Sequence, residues 1–349
     1  MKQVWTQPVK DMPELQIMGR TQSDAQGIRL FWPLSGIRFA YTGSRLRCGI
    51  ECEYETMPMY AAVLVDHMPV LRFPLERGQH VYPVLEGMDL KPHEIEIVRE
   101  TQPVMDDPGS VFRIISLEGD GTAAPARQAS VHIEYIGDSI TCGEGTVGAP
   151  GSQDWHTVYL SPVNGYMQML NAALHADCQV FAEGGWGLYS DWLNRQEHNI
   201  PAIYERVCAL SQDGNLPYDF QWQPDLVIIN LGTNDASALK TLTGSERQDR
   251  LKMLETEAVA FLDMIRKRYP SAYLLWTYGM AEQSLSGVFR FAVSKARQEG
   301  MKLVGYLRLL ENRPETMGAR EHPGRECHRQ AAERILSYVI RNKVIQKQN

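Results

Sequence analysis

The chain has 349 residues, of which 44% are hydrophobic and 22% are charged, and its formal net charge at pH 7 is -7. A chain of this length is expected to form two domains, each with its own core. The scattered lysines and arginines argue against a nucleic-acid partner, and no apolar run approaches the roughly 20 residues that span a bilayer, so we expect no membrane partner either.

The first ten residues are polar and contain no apolar stretch followed by a small-residue cleavage site. They lack the pattern of an export signal, so we expect a cytoplasmic protein. The six cysteines show no paired spacing except at Cys48 and Cys52, which fall on one face of a predicted strand. Neighbouring thiols on one face seldom have the geometry of a disulfide, so we expect free, buried thiols.

An alternating pattern of apolar and polar residues runs from about Gly27 to Ala129. Alternation of period two between turn signals is typical of half-buried antiparallel strands. The turn signals are Thr42-Gly43-Ser44, Glu86-Gly87 and Asp107-Pro108-Gly109. The pattern predicts a β-sandwich of about 100 residues or slightly more. The polar, alanine-rich stretch from Gly119 to Ser130 is predicted to be the linker that follows.

Strand and helix patterns alternate after this linker. Three segments repeat apolar residues at helical spacing, around residues 166–174, 251–265 and 332–340. Five continuous apolar runs predict buried parallel strands, at residues 132–136, 180–182, 226–231, 273–278 and 303–307. We therefore predict an α/β protein in which an N-terminal β-sandwich domain, residues 1–128, precedes a three-layer α/β/α domain with a parallel sheet, residues 129–349.

Polar and glycine-rich motifs follow three of the predicted strands. They are Gly137-Asp138-Ser139-Ile140-Thr141-Cys142-Gly143, Glu183-Gly184-Gly185-Trp186-Gly187 and Gly232-Thr233-Asn234-Asp235. Sites in parallel sheets lie at the carboxyl ends of the strands, so we expect the chemistry of this chain at these motifs.

These motifs contain the parts of a serine nucleophile site, which needs a nucleophile, a base and donors directed at the oxyanion. We predict Ser139 as the nucleophile, and the N–H groups of Ser139 and Gly185 with the side-chain amide of Asn234 as donors. The predicted base is His322, because it follows the last strand and precedes the final helix, on a loop that can reach Ser139. His328 is predicted to be a structural histidine of that final helix.

The motifs, in this order, resemble the sequence blocks of the SGNH (GDSL-type) hydrolases. More narrowly, residues 133–143 and Trp276-Thr277-Tyr278-Gly279-Met280 are similar to the acetylesterases of carbohydrate esterase family 2. Those enzymes place a jelly-roll domain before the hydrolase domain, and Trp32-Pro33-Leu34-Ser35-Gly36 is similar to its start. The resemblance implies a jelly-roll-like first domain and an SGNH hydrolase domain after it.

The same resemblance implies a substrate and a mechanism. It suggests a serine esterase that removes O-acetyl groups from fragments of plant polysaccharides, such as acetylated xylan or mannan, through an acetyl-serine intermediate. It assigns the catalytic roles of the family to Ser139, Gly185, Asn234 and His322.

One position departs from the usual pattern of these hydrolases. They carry an aspartate three residues before the histidine, and this chain has Ala319 there. Members of carbohydrate esterase family 2 are known to use a backbone carbonyl in place of the acid, so the resemblance suggests a Ser–His pair. Glu321 adjoins His322 and is the less favoured alternative, because neighbouring side chains usually diverge.

Other chemistries fit the sequence less well. Gly143, Gly145 and Gly148 have the spacing of a dinucleotide-binding loop, but the first glycine comes too late for the strand-to-helix turn and Pro150-Gly151 interrupts the helix that should follow. The chain has no Walker-type, HExxH, paired CxxC or GxSxG motif. We expect neither a metal nor another cofactor.

Two alternatives remain. A binding protein with a degenerate hydrolase domain is disfavoured because Ser139, Asn234 and His322 are all retained. A lipase or thioesterase acting on another small acyl ester is the second candidate, and a long apolar tunnel would favour it. Aromatic residues in the loops suit stacking on sugar rings instead, and Trp186, between two glycines, is the predicted substrate-binding residue. The predicted partner is thus an acetylated oligosaccharide, and a homo-oligomer is compatible with the sequence.

Overall fold

The computed structural model describes residues 4–345, so the first three and last four residues of the predicted domains lie outside the described part. Its residues form two units. The first comprises residues 4–129 with the segments 156–158 and 206–217, and the second comprises residues 130–155, 159–205 and 218–345. The two short segments pack on the first unit through hydrogen bonds: Trp32 Nε1 donates to the carbonyl of Val207 and Thr157 Oγ1 to that of Pro58, each over 2.6 Å.

The first unit is built from two antiparallel sheets. Its strands are β1 (Trp5–Pro8), β2 (Gln16–Met18), β3 (Thr21–Ser23), β4 (Ile28–Leu30), β5 (Gly36–Thr42), β6 (Arg45–Glu53), β7 (Tyr60–Val65), β8 (Met68–Pro74), β9 (Gly78–Glu86), β10 (His93–Arg99), β11 (Val111–Gly119) and β12 (Thr122–Ala124). One sheet has the order β3-β4-β11-β6-β9, with β1 also paired to β11, and the other has the order β12-β5-β10-β7-β8, with β2 also paired to β5. Alternate apolar residues of both sheets are buried in one core, as in Ile37, Phe39 and Tyr41 of β5. The predicted β-sandwich is confirmed.

The stretch predicted to be a linker contains a strand. Residues 122–124 form β12, which pairs antiparallel with β5 from Thr122 opposite Thr42 to Ala124 opposite Ala40. The prediction of a plain linker from Gly119 to Ser130 is wrong at these residues. A strand of three residues is too short to show a periodic pattern, and it forms because strand β5 supplies its hydrogen-bond partner.

The second unit is an α/β domain. Its strands are β13 (Val131–Gly137), β14 (Ala176–Ala182), β15 (Leu226–Asn230), β16 (Tyr273–Tyr278) and β17 (Val304–Arg308), and its helices are α1 (Tyr166–Leu174), α2 (Ile200–Ile203), α3 (Thr233–Leu239), α4 (Gly244–Arg268), α5 (Ser286–Gln298) and α6 (Arg325–Arg341). The strands form one parallel sheet in the order β14-β13-β15-β16-β17. Helix α1 packs on α6, and α4 packs on α5. The predicted parallel sheet with helices is confirmed.

The strand order reverses at β13. From β13 the chain first adds β14 on one side and then β15 on the other. Loops leaving the sheet on either side of such a reversal diverge and leave a crevice at the carboxyl ends of the strands. Ser139, two residues after the end of β13, is at this crevice.

Two further predictions can be compared with the described residues. Among the described residues, no helix is both long enough and apolar enough to cross a membrane. All six cysteines are free and buried, as predicted.

Candidate active site

Ser139 lies in a tight turn directly after β13. The carbonyl of Asp138 accepts a hydrogen bond from the N–H of Cys142, and the carbonyl of Ser139 accepts one from the N–H of Glu144, both over 2.9 Å. A Cβ atom on Gly137 would lie 2.0 Å from Oγ1 of Thr141, so only glycine fits where the strand enters this turn. The turn holds Ser139 at the carboxyl end of β13, between β14 and β15.

His322 reaches Ser139 from the loop between β17 and α6. Its Nε2 lies 2.9 Å from Oγ of Ser139, and its Nδ1 lies 2.8 Å from the carbonyl oxygen of Arg320. A carbonyl oxygen only accepts hydrogen bonds, so Nδ1 carries the proton and, in the neutral ring, Nε2 has the lone pair. His322 is therefore oriented to accept the proton of Ser139, without a carboxylate at Nδ1.

Gly185 and Asn234 come to the same place from the two neighbouring strands. Gly185 follows β14 with φ +81°, a conformation that favours glycine. Asn234 is the second residue of α3, after β15, and its Nδ2 donates to the carbonyl of Trp186 over 2.8 Å. An amide nitrogen carries two N–H groups, so this bond fixes the side chain while the second N–H remains as a donor.

The four predicted residues line one cavity of about 490 Å³. The rest of its wall is mostly polar or aromatic, and it consists of Ile140, Glu144, Trp155, Gly184, Trp192, Thr233, Ser237, Ala281, Arg320 and Glu321. A nucleophile paired with an imidazole, in a cavity whose wall also contains Gly185 and Asn234, has the arrangement required for acyl transfer.

The expectation that Trp186 is exposed is wrong. Only 6% of Trp186 is accessible, because its ring stacks on His198 with a centroid distance of 5.1 Å. Trp186 is not part of the cavity wall. Trp192, on the same loop, does line the cavity, and 53% of this residue is exposed. No signal in the sequence separates these two tryptophans.

Asp235 organises the loop that carries Gly185, a function that the sequence analysis did not assign. Its carboxylate accepts hydrogen bonds from three consecutive backbone N–H groups, at Leu188, Tyr189 and Ser190, over 2.7, 2.8 and 3.2 Å. Burial raises the pKa of this carboxyl group, and the three N–H donors oppose that rise. The signal was its position directly after Asn234 in the third motif.

The glycines that suggested a dinucleotide site have another function here. A Cβ atom on Gly145 would lie 2.5 Å from Cβ of His322 and 2.6 Å from the carbonyl oxygen of Ala319. Gly143 and Gly145 both have φ +76°. Gly145 thus lets the serine loop and the histidine loop approach each other closely, whereas Gly143 lies against Ser161 and Pro162. Helix α1 begins only at Tyr166.

His328 is buried in α6, where its Nδ1 accepts a hydrogen bond from the N–H of Tyr166 over 3.2 Å and its ring stacks on that tyrosine. Burial lowers the pKa of His328 to about 3, so the ring is neutral. It is a structural residue of this helix, as predicted.

A group with the composition of a metal site lies in the first unit. His67, Glu94 and Glu96 bring one ligand atom each within 4.8 Å of one another. The guanidinium of Arg38 lies 3.5 Å from Glu94 and 3.4 Å from Glu96 and supplies a positive charge between these carboxylates.

The sequence model of the GDSL-like lipase/acylhydrolase family matches residues 135–344. The chain belongs to this family. Residues 17–120 match the model of the carbohydrate esterase 2 N-terminal domain. The predicted family and two-part fold are confirmed.

Individual relatives agree with this assignment. An acetylxylan esterase/glucomannan deacetylase of Cellvibrio japonicus is 27% identical over 230 residues, which cover 64% of this chain and 62% of the relative. The chain thus spans less than two thirds of that protein. An acetyl xylan esterase from the rumen bacterium Butyrivibrio proteoclasticus is 29% identical, with a TM-score of 0.93 and 98% of both chains covered. A family two carbohydrate esterase from Clostridium thermocellum, solved with cellohexaose, shares the fold with a TM-score of 0.83 at 20% identity, over 95% of this chain and 100% of the other.

Proposed function

We propose that this chain is a serine esterase that removes O-acetyl groups from oligosaccharides derived from plant polysaccharides, such as acetylated xylo- or manno-oligosaccharides. The observation that carries the proposal is the 2.9 Å approach of Ser139 Oγ to an imidazole nitrogen that has its lone pair directed at it. The names of the relatives, an acetylxylan esterase/glucomannan deacetylase and an acetyl xylan esterase, support the substrate class.

The proposed reaction has two displacements. His322 Nε2 takes the proton from Ser139 as Oγ attacks the acetyl carbonyl carbon, and the N–H groups of Ser139, Gly185 and Asn234 stabilise the oxyanion. The protonated imidazole then gives its proton to the departing sugar oxygen, which leaves an acetyl-serine. Water, deprotonated by His322, attacks this ester, and acetate leaves as the serine oxygen recovers its proton.

The cavity wall supports a sugar substrate over a long acyl chain. Trp155 and the exposed ring of Trp192 offer flat apolar faces, while Glu144, Asn234 and Arg320 offer polar groups. A sugar presents both a flat ring face and hydroxyl groups, so it can use both kinds of surface. A lipase would require a wall that is predominantly apolar.

The test is the release of acetate from acetylated xylo- and manno-oligosaccharides, with NMR to identify the position that is cleared first. Ser139→Ala should remain folded and lose on the order of 10⁴ to 10⁶ in kcat. Retention of more than about a tenth of wild-type activity by a folded Ser139→Ala protein would exclude Ser139 as nucleophile. Faster cleavage of p-nitrophenyl octanoate than of the acetate would favour a lipase, and no ester cleavage at all would favour a binding protein.

A further inference from the structure

The turn that carries His322 has an uncommon backbone conformation. Arg320, with φ 55° and ψ 34°, and Glu321, with φ 60°, are consecutive non-glycine residues in the left-handed region. Such residues cost conformational energy and persist only where surrounding contacts hold them. The carbonyl that orients His322 belongs to Arg320, so the orientation of the imidazole depends on whatever holds this turn.

Three of the contacts that hold the turn come from the serine side of the site. The N–H of Ala319 donates to the carbonyl of Gly145 over 3.3 Å, and the N–H of Arg320 donates to the carbonyl of Ser152 over 2.7 Å. The side chain of Arg320 forms an ion pair with Glu144, with 2.8 Å between Nε and Oε1. Glu144 is thus the charged group that links the loop of the nucleophile to the turn of the base.

Glu144 also faces the imidazole directly. Its side chain is 5% exposed, and its Oε2 lies 3.8 Å from Nε2 of His322, the nitrogen that receives the serine proton. A carboxylate at this distance, largely shielded from water, favours the protonated form of the ring. In a Ser–His–Asp site the acid both orients the ring and stabilises its charge, whereas the Arg320 carbonyl here can only orient it.

We propose that Glu144 is a positioning residue of the Ser139–His322 pair, which holds the turn of His322 through Arg320 and stabilises the protonated imidazole from the Nε2 side. The inference rests on the proposed function, because it assigns Glu144 a part in the same acyl transfer. The acid of this site would then come from the serine loop instead of from the segment that precedes the histidine.

Four charged or titratable side chains bear on the charge of His322. Glu144 favours the imidazolium, and the guanidinium of Arg320, paired with Glu144, opposes it. Glu321 is the exposed neighbour in the chain, and His328 is buried and neutral. Removing Glu144 leaves the arginine cation unopposed beside the imidazole, and removing Arg320 leaves the carboxylate unopposed. We therefore expect the two variants to change the charge of the ring in opposite directions.

The experiment compares Glu144→Gln and Arg320→Gln with wild type and with a matched control, Glu315→Gln. Glu315 is an exposed carboxylate 3.9 Å from Arg313, on the same loop. The readout is kcat/KM for p-nitrophenyl acetate from pH 4.5 to 9, since the acid limb of this profile reports the pKa of the base in the free enzyme.

We expect Glu144→Gln to lose roughly 10- to 100-fold in kcat/KM at pH 7. The acid limb of the Glu144→Gln profile should move to lower pH by about one unit, and that of Arg320→Gln should move to higher pH. The acid limb of the control should coincide with that of the wild type.

Opposite displacements cannot arise from general loosening of the site, which would move both variants alike. Displacements in the same direction, or none beyond that of the control, would overturn the proposal. If Glu144→Gln does not fold, Glu144→Asp replaces it, because this change withdraws the carboxylate by one methylene. Its acid limb should move to lower pH by less than the shift expected for Glu144→Gln.

A second measurement separates this proposal from the proposed function. The pKa of His322 can be read by NMR from its Cε1–H resonance in the Ser139→Ala background, with and without Glu144→Gln, and no turnover is needed. A lower pKa in the double variant supports the role of Glu144 even if the wild type proves inactive on acetyl esters. An unchanged pKa contradicts that role even if the wild type is an active esterase.

Discussion

At the scale of single residues, His322 has a carbonyl where a triad has a carboxylate. Its Nδ1 donates to the carbonyl of Arg320, so no acidic side chain is needed to fix the tautomer. We predict that Glu315→Gln, Glu321→Gln and Glu326→Gln each reduce kcat by less than about tenfold, because neutralising an orienting acid costs about 10⁴. The measurement is kcat for each variant, with His322→Ala as the control that must be nearly inactive. A loss near 10³ in any folded Glu→Gln variant would identify an orienting acid.

Asn234 contributes at a different point of the reaction. Replacing it with alanine removes one donor from the oxyanion and also the bond to the carbonyl of Trp186. We predict that Asn234→Ala lowers kcat by roughly 10² to 10³ and leaves KM little changed. Steady-state kinetics on an acetyl ester measures both constants. A change confined to KM would make Asn234 a residue that binds substrate.

The sequence allowed some of these residues to be predicted and others not. Ser139, Gly185, Asn234 and His322 each follow a strand or precede a helix in a recognisable motif, and the structure brings all four to one cavity. Glu144 was missed because the acid was sought only near the histidine, although it lies five residues after the serine. Trp186 was chosen over Trp192 because a linear sequence does not show which ring of a loop stacks inward.

At the scale of elements, the loop after β14 depends on Asp235 at the start of α3. Its carboxylate accepts three backbone N–H groups, and asparagine would replace one acceptor oxygen by a donor. We predict that Asp235→Asn lowers the free energy of unfolding by roughly 2 to 4 kcal/mol and also lowers kcat, because Gly185 belongs to the same loop. Urea unfolding with parallel kinetics tests this. Equal stability of the two proteins would show that the three bonds add little.

Most long periodic elements were predicted from the sequence, with one exception, whereas short elements were missed. All five strands of the parallel sheet were predicted from continuous apolar runs. Strands β13 to β16 are buried on both faces, whereas β17, at the edge of the sheet, is exposed at its last residue. Helix α5 was missed although Val288, Phe289, Ala292, Val293 and Ala296 have helical spacing and are buried. Strand β12 carries no such signal, since its three residues are ordered by pairing with β5.

At the scale of the whole molecule, the stability of the fold depends on the protonation of Asp138. This residue is fully buried behind the nucleophile, and burial raises its pKa from 3.8 to about 7. The folded state therefore binds the proton more tightly than the unfolded state. The stabilisation from this group is complete below about pH 4 and is lost as the pH rises to about 7.

We accordingly predict that Asp138→Asn, which cannot ionise, shows a smaller fall in Tm from pH 4.5 to pH 7.5 than the wild type. Other titrating groups are the same in both proteins, so the difference between the two curves isolates Asp138. Thermal unfolding at constant ionic strength measures it. Parallel curves would mean that Asp138 does not carry this part of the pH dependence.

The six buried thiols make the chain a convenient subject for chemical labelling. Cys142, three residues after the nucleophile, is fully buried, and its Sγ lies 3.3 Å from the carbonyl of Ala182. An alkylating reagent should therefore modify native protein only when the structure opens. The rate of modification at Cys142 then measures how often the structure around the serine turn opens. A cysteine introduced on the surface would in turn carry a dye at a single position, with no native thiol competing.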